Sequence, residues 1–128
     1  MATPTPSDRL YAESHEWHKA EGDVVTLGIS SFAFEQLTDV TYVQMKPVGS
    51  VVSAGDVVGE VESVKTTSDV YSAVGGEIIE VNAAAVEDPS LLNSDPYGKG
   101  WLIKIRATDT AGLANCMDAA KYDATYPS

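Results

Sequence analysis

The middle of the chain reads Val57, Val58, Gly59, Glu60, Val61, Glu62, Ser63, Val64, Lys65, Thr66, Thr67, Ser68, Asp69, Val70 and Tyr71. Valine-rich runs on either side of small polar residues are the pattern of two strands joined by a tight turn. Residues 57–64 and 68–71 are the expected strands, and Lys65 is the expected tip. Ser63, Thr66, Thr67 and Ser68 are small enough to leave the lysine stem unobstructed, and carboxylates flank it. An amine held there is exposed and reachable. It can be acylated, and an acylated lysine can carry a cofactor. Taken alone, however, a lysine in a turn is an ordinary solvated residue.

Working outward, Gly75 and Gly76 interrupt the next apolar run and predict a bend or bulge before a strand over 77–81. Upstream, Ala54, Gly55 and Asp56 are a turn signal after Val51 and Val52. Residues 40–45 are β-rich and end at Pro47 and Gly49. A hairpin is expected from residues 15–19 and 24–29 around Gly22 and Asp23. Ser30 or Ser31 caps a short helix to about Leu37. Downstream, Asp88 caps a short turn through Leu92, with Pro89 at its first position. Asp95, Pro96, Tyr97 and Gly98 form a turn before a strand over 101–106. Asp109 or Thr110 caps a last helix, whose buried face would carry Leu113, Cys116, Met117 and Ala120. Many short strands between Gly, Pro and Asp turns give a mainly β fold, a sandwich or small barrel with peripheral helices. The hairpins around Lys65 hint at a weak internal two-fold.

A length of 128 residues fits one domain over 1–128, with residues 1–9 as a flexible N-terminal tail containing Pro4 and Pro6. The net charge of -11 and pI near 4.3 argue against nucleic acid and against an anionic membrane face as partners. An acidic surface is instead steered toward basic patches on proteins. The single cysteine, Cys116, permits no internal disulfide and suits a reducing compartment. No apolar run approaches the roughly 18 residues of a membrane span. The expected address is a bacterial cytoplasm, or a mitochondrial matrix if a presequence has been removed. His15 and His18 would point to opposite faces of a strand, a poor metal pair. Trp17 and Trp101 read as packing residues, and Cys116 as a small core residue. Glu13 and Glu16 read as a solvated acidic face, with proximity to a cationic arm as the alternative. No nucleophile–base pair or metal set appears, so no catalytic or metal residues are expected.

The segment from Glu62 to Ser72, with Gly76, Glu77, Ile78, Ile79, Glu80, Val81 and Asn82, resembles the lipoyl segment of the glycine cleavage system H protein family. Tyr11, His15, Glu16 and Trp17 resemble its opening signature. Gly28, Ile29, Ser30, Phe32, Ala33, Glu35, Gln36, Leu37, Asp39 and Val40 are similar to its second block. Asn93, Asp95, Pro96, Tyr97, Gly98, Gly100, Trp101 and Leu102 are similar to its last. The resemblance covers roughly residues 10–122. Departures are small: Thr66 and Thr67 follow the lysine, Ala73 replaces a usual proline, and Gly75 replaces a usual serine.

The resemblance implies a barrel-sandwich hybrid fold with short peripheral helices and a C-terminal helix. It implies lipoate on Lys65, with Glu62 and Gly76 read by lipoylating enzymes. It further implies a monomeric, non-catalytic shuttle of the glycine cleavage system. Such a shuttle carries an aminomethyl group from the P protein (glycine decarboxylase) to the T protein (aminomethyltransferase). It then presents dihydrolipoyl to the L protein (dihydrolipoamide dehydrogenase) for reoxidation. The alternatives are an H-like protein that relays lipoyl groups to other carriers, and another lipoyl or biotinyl carrier domain. Biotin carriers favour methionines beside the lysine, where this chain has Val64 and Thr66.

Overall fold

A computed structural model describes residues 6–33 and 39–126. Its strands are β1 (Leu10–Tyr11), β2 (Glu16–Glu21), β3 (Val24–Ile29), β4 (Val40–Met45), β5 (Val51–Val52), β6 (Val57–Ser63), β7 (Thr67–Tyr71), β8 (Gly75–Val81) and β9 (Ile103–Asp109). Helices α1 (Ala83–Glu87) and α2 (Ser90–Ser94) lie between β8 and β9, and α3 (Ala119–Thr125) closes the chain. The strands form two antiparallel sheets. The larger has the order β1-β2-β3-β9-β8-β5, and the smaller β4-β6-β7. Both expected hairpins are present, the first over Glu16–Glu21 and Val24–Ile29 and the second over Val57–Ser63 and Thr67–Tyr71.

Between the sheets lies an aliphatic core that includes Val25, Leu27, Val43, Val58, Val61, Val70, Ile78, Ile103 and Ile105. Burying so many branched side chains is the main force holding the sheets together. Strict alternation would not bury both Val58 and Val61, which are separated by an odd number of positions. A register shift between Val57 and Gly59 resolves this, and both valines are buried. The neighbouring strand uses the same device: a shift between Val40 and Tyr42 lets Val40 and Val43 both face inward. Each bulge adds one residue to its strand and turns the following side chain back to the core.

A second, aromatic core joins Tyr11, Trp17, Met117 and Tyr122, with Phe32, Tyr97, Trp101 and Tyr126 packed on it. Trp17 lies opposite Gly28 across β2 and β3, and a Cβ on Gly28 would collide with the indole. Trp17 is fully buried and Trp101 only partly, so both are packing residues. The guanidinium of Arg9 lies 4.6 Å from the Trp17 ring centroid and donates to the Tyr97 carbonyl at 2.9 Å. Its side chain is 8% exposed. The ordered body therefore includes Arg9, which the sequence places within the tail.

Three local expectations are corrected. The last helix is not continuous from Asp109. A 3-10 turn spans Ala111–Asn115, Cys116 and Met117 are extended, and α3 starts only after Asp118. Met117 leaves the helical path to pair with Tyr11, with main-chain bonds of 2.7 and 2.8 Å. Asp118 then caps α3 by accepting from the Lys121 N–H at 2.8 Å. Second, the final strand of the larger sheet begins at Ile103 rather than residue 101. Third, α1 is unexpected, although Ala83, Ala84 and Ala85 are the strongest helix formers available. The expected helix after Ser30 opens with the Ser30 Oγ accepting from the Ala33 N–H at 3.5 Å. Its continuation to Leu37 lies outside the described residues.

Candidate functional site

Lys65 stands in the connection between β6 and β7 and is exposed. Ser63 builds the turn. Its N–H donates to the Thr66 carbonyl at 2.8 Å, and its Oγ accepts from the backbone N–H groups of Lys65 and Thr66, both at 3.2 Å. One buried hydroxyl thus satisfies two donors that the turn would otherwise leave open. Among the described residues the Lys65 ammonium has no ion pair. The adjacent Val64 is 70% exposed, and Thr66 and Thr67 are exposed as well.

Glu62 is also exposed and lies between Tyr42 and Thr67 in the register of the smaller sheet. Gly76 is elsewhere. It is buried in β8 of the larger sheet, where it pairs with Val52 and Ala107. A Cβ at Gly76 would collide with the Arg106 carbonyl. Close approach of two backbones therefore explains this glycine, which is buried in the larger sheet while Lys65 is exposed at the tip of a hairpin of the smaller one. The predicted bulge is present as a register shift between Gly75 and Gly76.

Beside β7 is a cavity of about 170 Å³ lined by Ser14, His15, Glu16, Ile29, Ala33, Ser68 and Asp69. Ser68 and Asp69 belong to β7, just below the Lys65 tip. A second cavity of about 230 Å³ shares Ser14 and Glu16 and extends to Tyr71 and Cys116. Glu16 is 1% exposed, which corrects the solvated-face expectation for this residue; Glu13 is exposed as expected. The Glu16 carboxylate accepts from the Ser14 hydroxyl and from the Tyr71 N–H at 3.0 Å. Burial pushes its pKa up, and the Ser14 and Tyr71 hydrogen bonds act in the opposite direction.

The two histidines serve different partners. His15 Nδ1 lies 2.7 Å from the Tyr122 hydroxyl, whereas the buried His18 Nε2 accepts from the Ala73 N–H at 3.0 Å. Desolvation pushes the pKa of His18 down to about 4, so it is neutral near pH 7. No group of three or more His, Cys, Asp or Glu among the described residues could hold a metal ion. Cys116 ends the 3-10 turn and is only half-buried. Burial first, and then the charge of Glu16, push its thiol pKa up, which disfavours the nucleophilic thiolate.

Sequence reasoning singled out Lys65 and Glu62 but not Ser14 or Asp69 as cavity walls. It also gave His15 no partner. The signal available was the run Ser14, His15, Glu16 directly before the Trp17 strand. Burial of Glu16, Trp17 and His18 in succession breaks the alternation that would have flagged Glu16.

The Glycine cleavage H-protein family matches residues 9–128. The chain belongs to that family. A glycine cleavage system H protein of Thermus thermophilus is 46% identical over 123 residues, 96% of each chain. That of Methylacidiphilum infernorum is 48% identical over 117 residues, 91% of each chain. The crystal structure of a glycine cleavage system H protein from Mycobacterium marinum superposes with a TM-score of 0.86 at 44% identity, covering 94% of this chain and 97% of that one. The expected mainly β fold with short helices and a C-terminal helix is thereby met. No helix among the described residues is long and apolar enough to cross a membrane.

Proposed function

We propose that this chain is the lipoyl-bearing shuttle of the glycine cleavage system, with lipoate attached through an amide to Lys65. The observation that carries the reading is the exposed amine, without an ion pair among the described residues, at the tip of a hairpin whose turn Ser63 closes by hydrogen bonds. The residues fit such a group: Lys65 and its neighbours Val64, Thr66 and Thr67 are all exposed. When attached, the dithiolane supplies reversible thiol chemistry for carrying a one-carbon amine unit between enzymes. The protein supplies position. A tether fixed to a stiff tip raises the local concentration of its end at each docked partner.

The cavity beside β7 suits a resting place for a cationic arm. Two carboxylates, Glu16 and Asp69, and the Ser14 hydroxyl line it. A buried carboxylate favours an adjacent cation more strongly than an exposed one. Glu62, exposed on the same hairpin, is available to the enzyme that lipoylates Lys65. Gly76 contributes through the shape of its strand and not by contact. The partners are the P, T and L proteins, met by a surface with a net charge of -11. Weak, fast docking to basic patches follows from that charge. The chemistry resides in the cofactor and partner enzymes; this chain is a non-catalytic carrier acting in a bacterial cytoplasm. Reconstitution with P, T and L proteins tests the role. Lys65→Arg should abolish glycine decarboxylation, and retained activity would remove the tethered-arm mechanism.

A further inference from the structure

His15 has φ 80°, the one non-glycine residue with positive φ among the described residues. Non-glycine residues seldom adopt positive φ, although histidine does so more often than most, and the conformation persists where the surroundings impose it. Here they do. The His15 N–H donates to the Ala12 carbonyl at 2.9 Å, and its own carbonyl accepts from the Ser30 N–H at 2.9 Å. The resulting turn places Ser14 and Glu16 together in the walls of both cavities.

The side chain is equally engaged. The imidazole packs at 4.7 Å on Tyr126 and 5.0 Å on Phe32, and Nδ1 meets the Tyr122 hydroxyl at 2.7 Å. Tyr122 Oη in turn lies 2.6 Å from Ser30 Oγ. A neutral His15 accepts at Nδ1 from Tyr122, which then accepts from Ser30. This order satisfies each hydroxyl, and burial favours the neutral ring. A second tie runs from the Tyr126 hydroxyl, which donates to the Glu13 carbonyl at 3.3 Å. The C-terminal helix therefore clasps the turn on both sides of Ser14.

We propose that His15 is a positioning residue of the shuttle cavity: through Tyr122 it lets helix α3 set the Glu16 carboxylate, and so governs how firmly the cavity holds a cationic arm. This rests on the reading of the cavity as the arm's resting place. His15 itself lines the smaller cavity, but the proposed role does not rest on its touching the arm. It acts by fixing the geometry of the residue that follows it.

Two variants test the coupling. Tyr122→Phe removes only the hydroxyl. His15→Asn keeps a residue that tolerates positive φ but removes the ring. In the lipoate-free protein, both should shift the Tyr71 amide cross-peak and the Glu16 carboxyl carbon in NMR spectra, because those atoms share the Glu16 hydrogen bond. In the aminomethyl-loaded protein, both should speed spontaneous hydrolysis, in which water releases the aminomethyl group as ammonia and formaldehyde and leaves the free thiol, ~3- to 10-fold, the effect of losing one hydrogen bond. Unchanged Tyr71 and Glu16 signals in both variants, or release that rises only in proportion to global unfolding, would overturn the proposal. Glu16→Gln separates the two claims. If it leaves release unchanged, the cavity reading fails; if it speeds release while the other two variants do not, only the role of His15 fails.

Discussion

Glu16 and Tyr71 lie 55 positions apart in sequence, yet the Glu16 carboxylate accepts the Tyr71 backbone N–H at 3.0 Å. Strand β7 is an edge of the smaller sheet, and an edge N–H left open invites pairing with another chain. A carboxylate from the larger sheet closes that N–H and at the same time forms a wall of the cavity beside Lys65. Glu16→Ala should cost about 1–3 kcal/mol, as a donor losing its buried acceptor does. Glu16→Gln should cost less, since its amide oxygen can still accept. Urea unfolding of the three proteins at neutral pH measures both.

Ser63 is the next point of control. Ser63→Ala removes the acceptor for the Lys65 and Thr66 N–H groups but leaves the main-chain bond to Thr66. Stability should fall by about 1 kcal/mol. Fast backbone motion at Lys65 should rise, seen as lower 15N order parameters confined to residues 64–66.

Gly76 separates packing from recognition. Gly76→Ala should destabilise by about 1–3 kcal/mol, because the new methyl must displace the Arg106 carbonyl. Lipoylation rate by a purified lipoylating enzyme should then follow the folded fraction of the variant. A rate loss well beyond the unfolded fraction would give Gly76 a direct recognition role.

His18 makes the fold sensitive to acid. Its folded pKa of about 4 is below the ordinary value of 6.5, so its stabilising effect is complete above pH 6.5 and is lost as pH falls toward 4. Glu16, raised by burial, has the opposite sign: its effect is complete below its unfolded pKa and is lost as pH rises. Between pH 7 and pH 4.5 the His18 linkage removes about 2 kcal/mol. His18→Gln retains an acceptor for the Ala73 N–H without titrating. The stability lost between those pH values should be smaller in the variant by about that amount, because Glu16 is common to both proteins. Equal losses would mean that His18 is protonated in the folded state.

The hairpin tip and the strands around it were legible because both signals are local. Valine alternation and small polar turn residues act within a few positions, and the turns at Gly22, Gly55 and Asp95 are of the same kind. What the sequence concealed depends on contacts between distant segments. Glu16 reads as a surface acid until β7 covers it. Residues 109–120 have helical spacing, yet pairing of Met117 with Tyr11 outweighs that preference. Arg9 reads as tail until Trp17 and Tyr97 provide its seat. The identity of Gly76 was recognised, while its cause, the Arg106 carbonyl, is on a strand about thirty positions away.

The central claim is that Lys65 anchors the cofactor arm, and intact-mass analysis of protein from its native cell tests it most directly. The wild-type chain should carry one lipoyl increment, and Lys65→Arg should carry none. An increment that survives in Lys65→Arg would place the attachment elsewhere, and its absence from the wild-type chain would contradict the account.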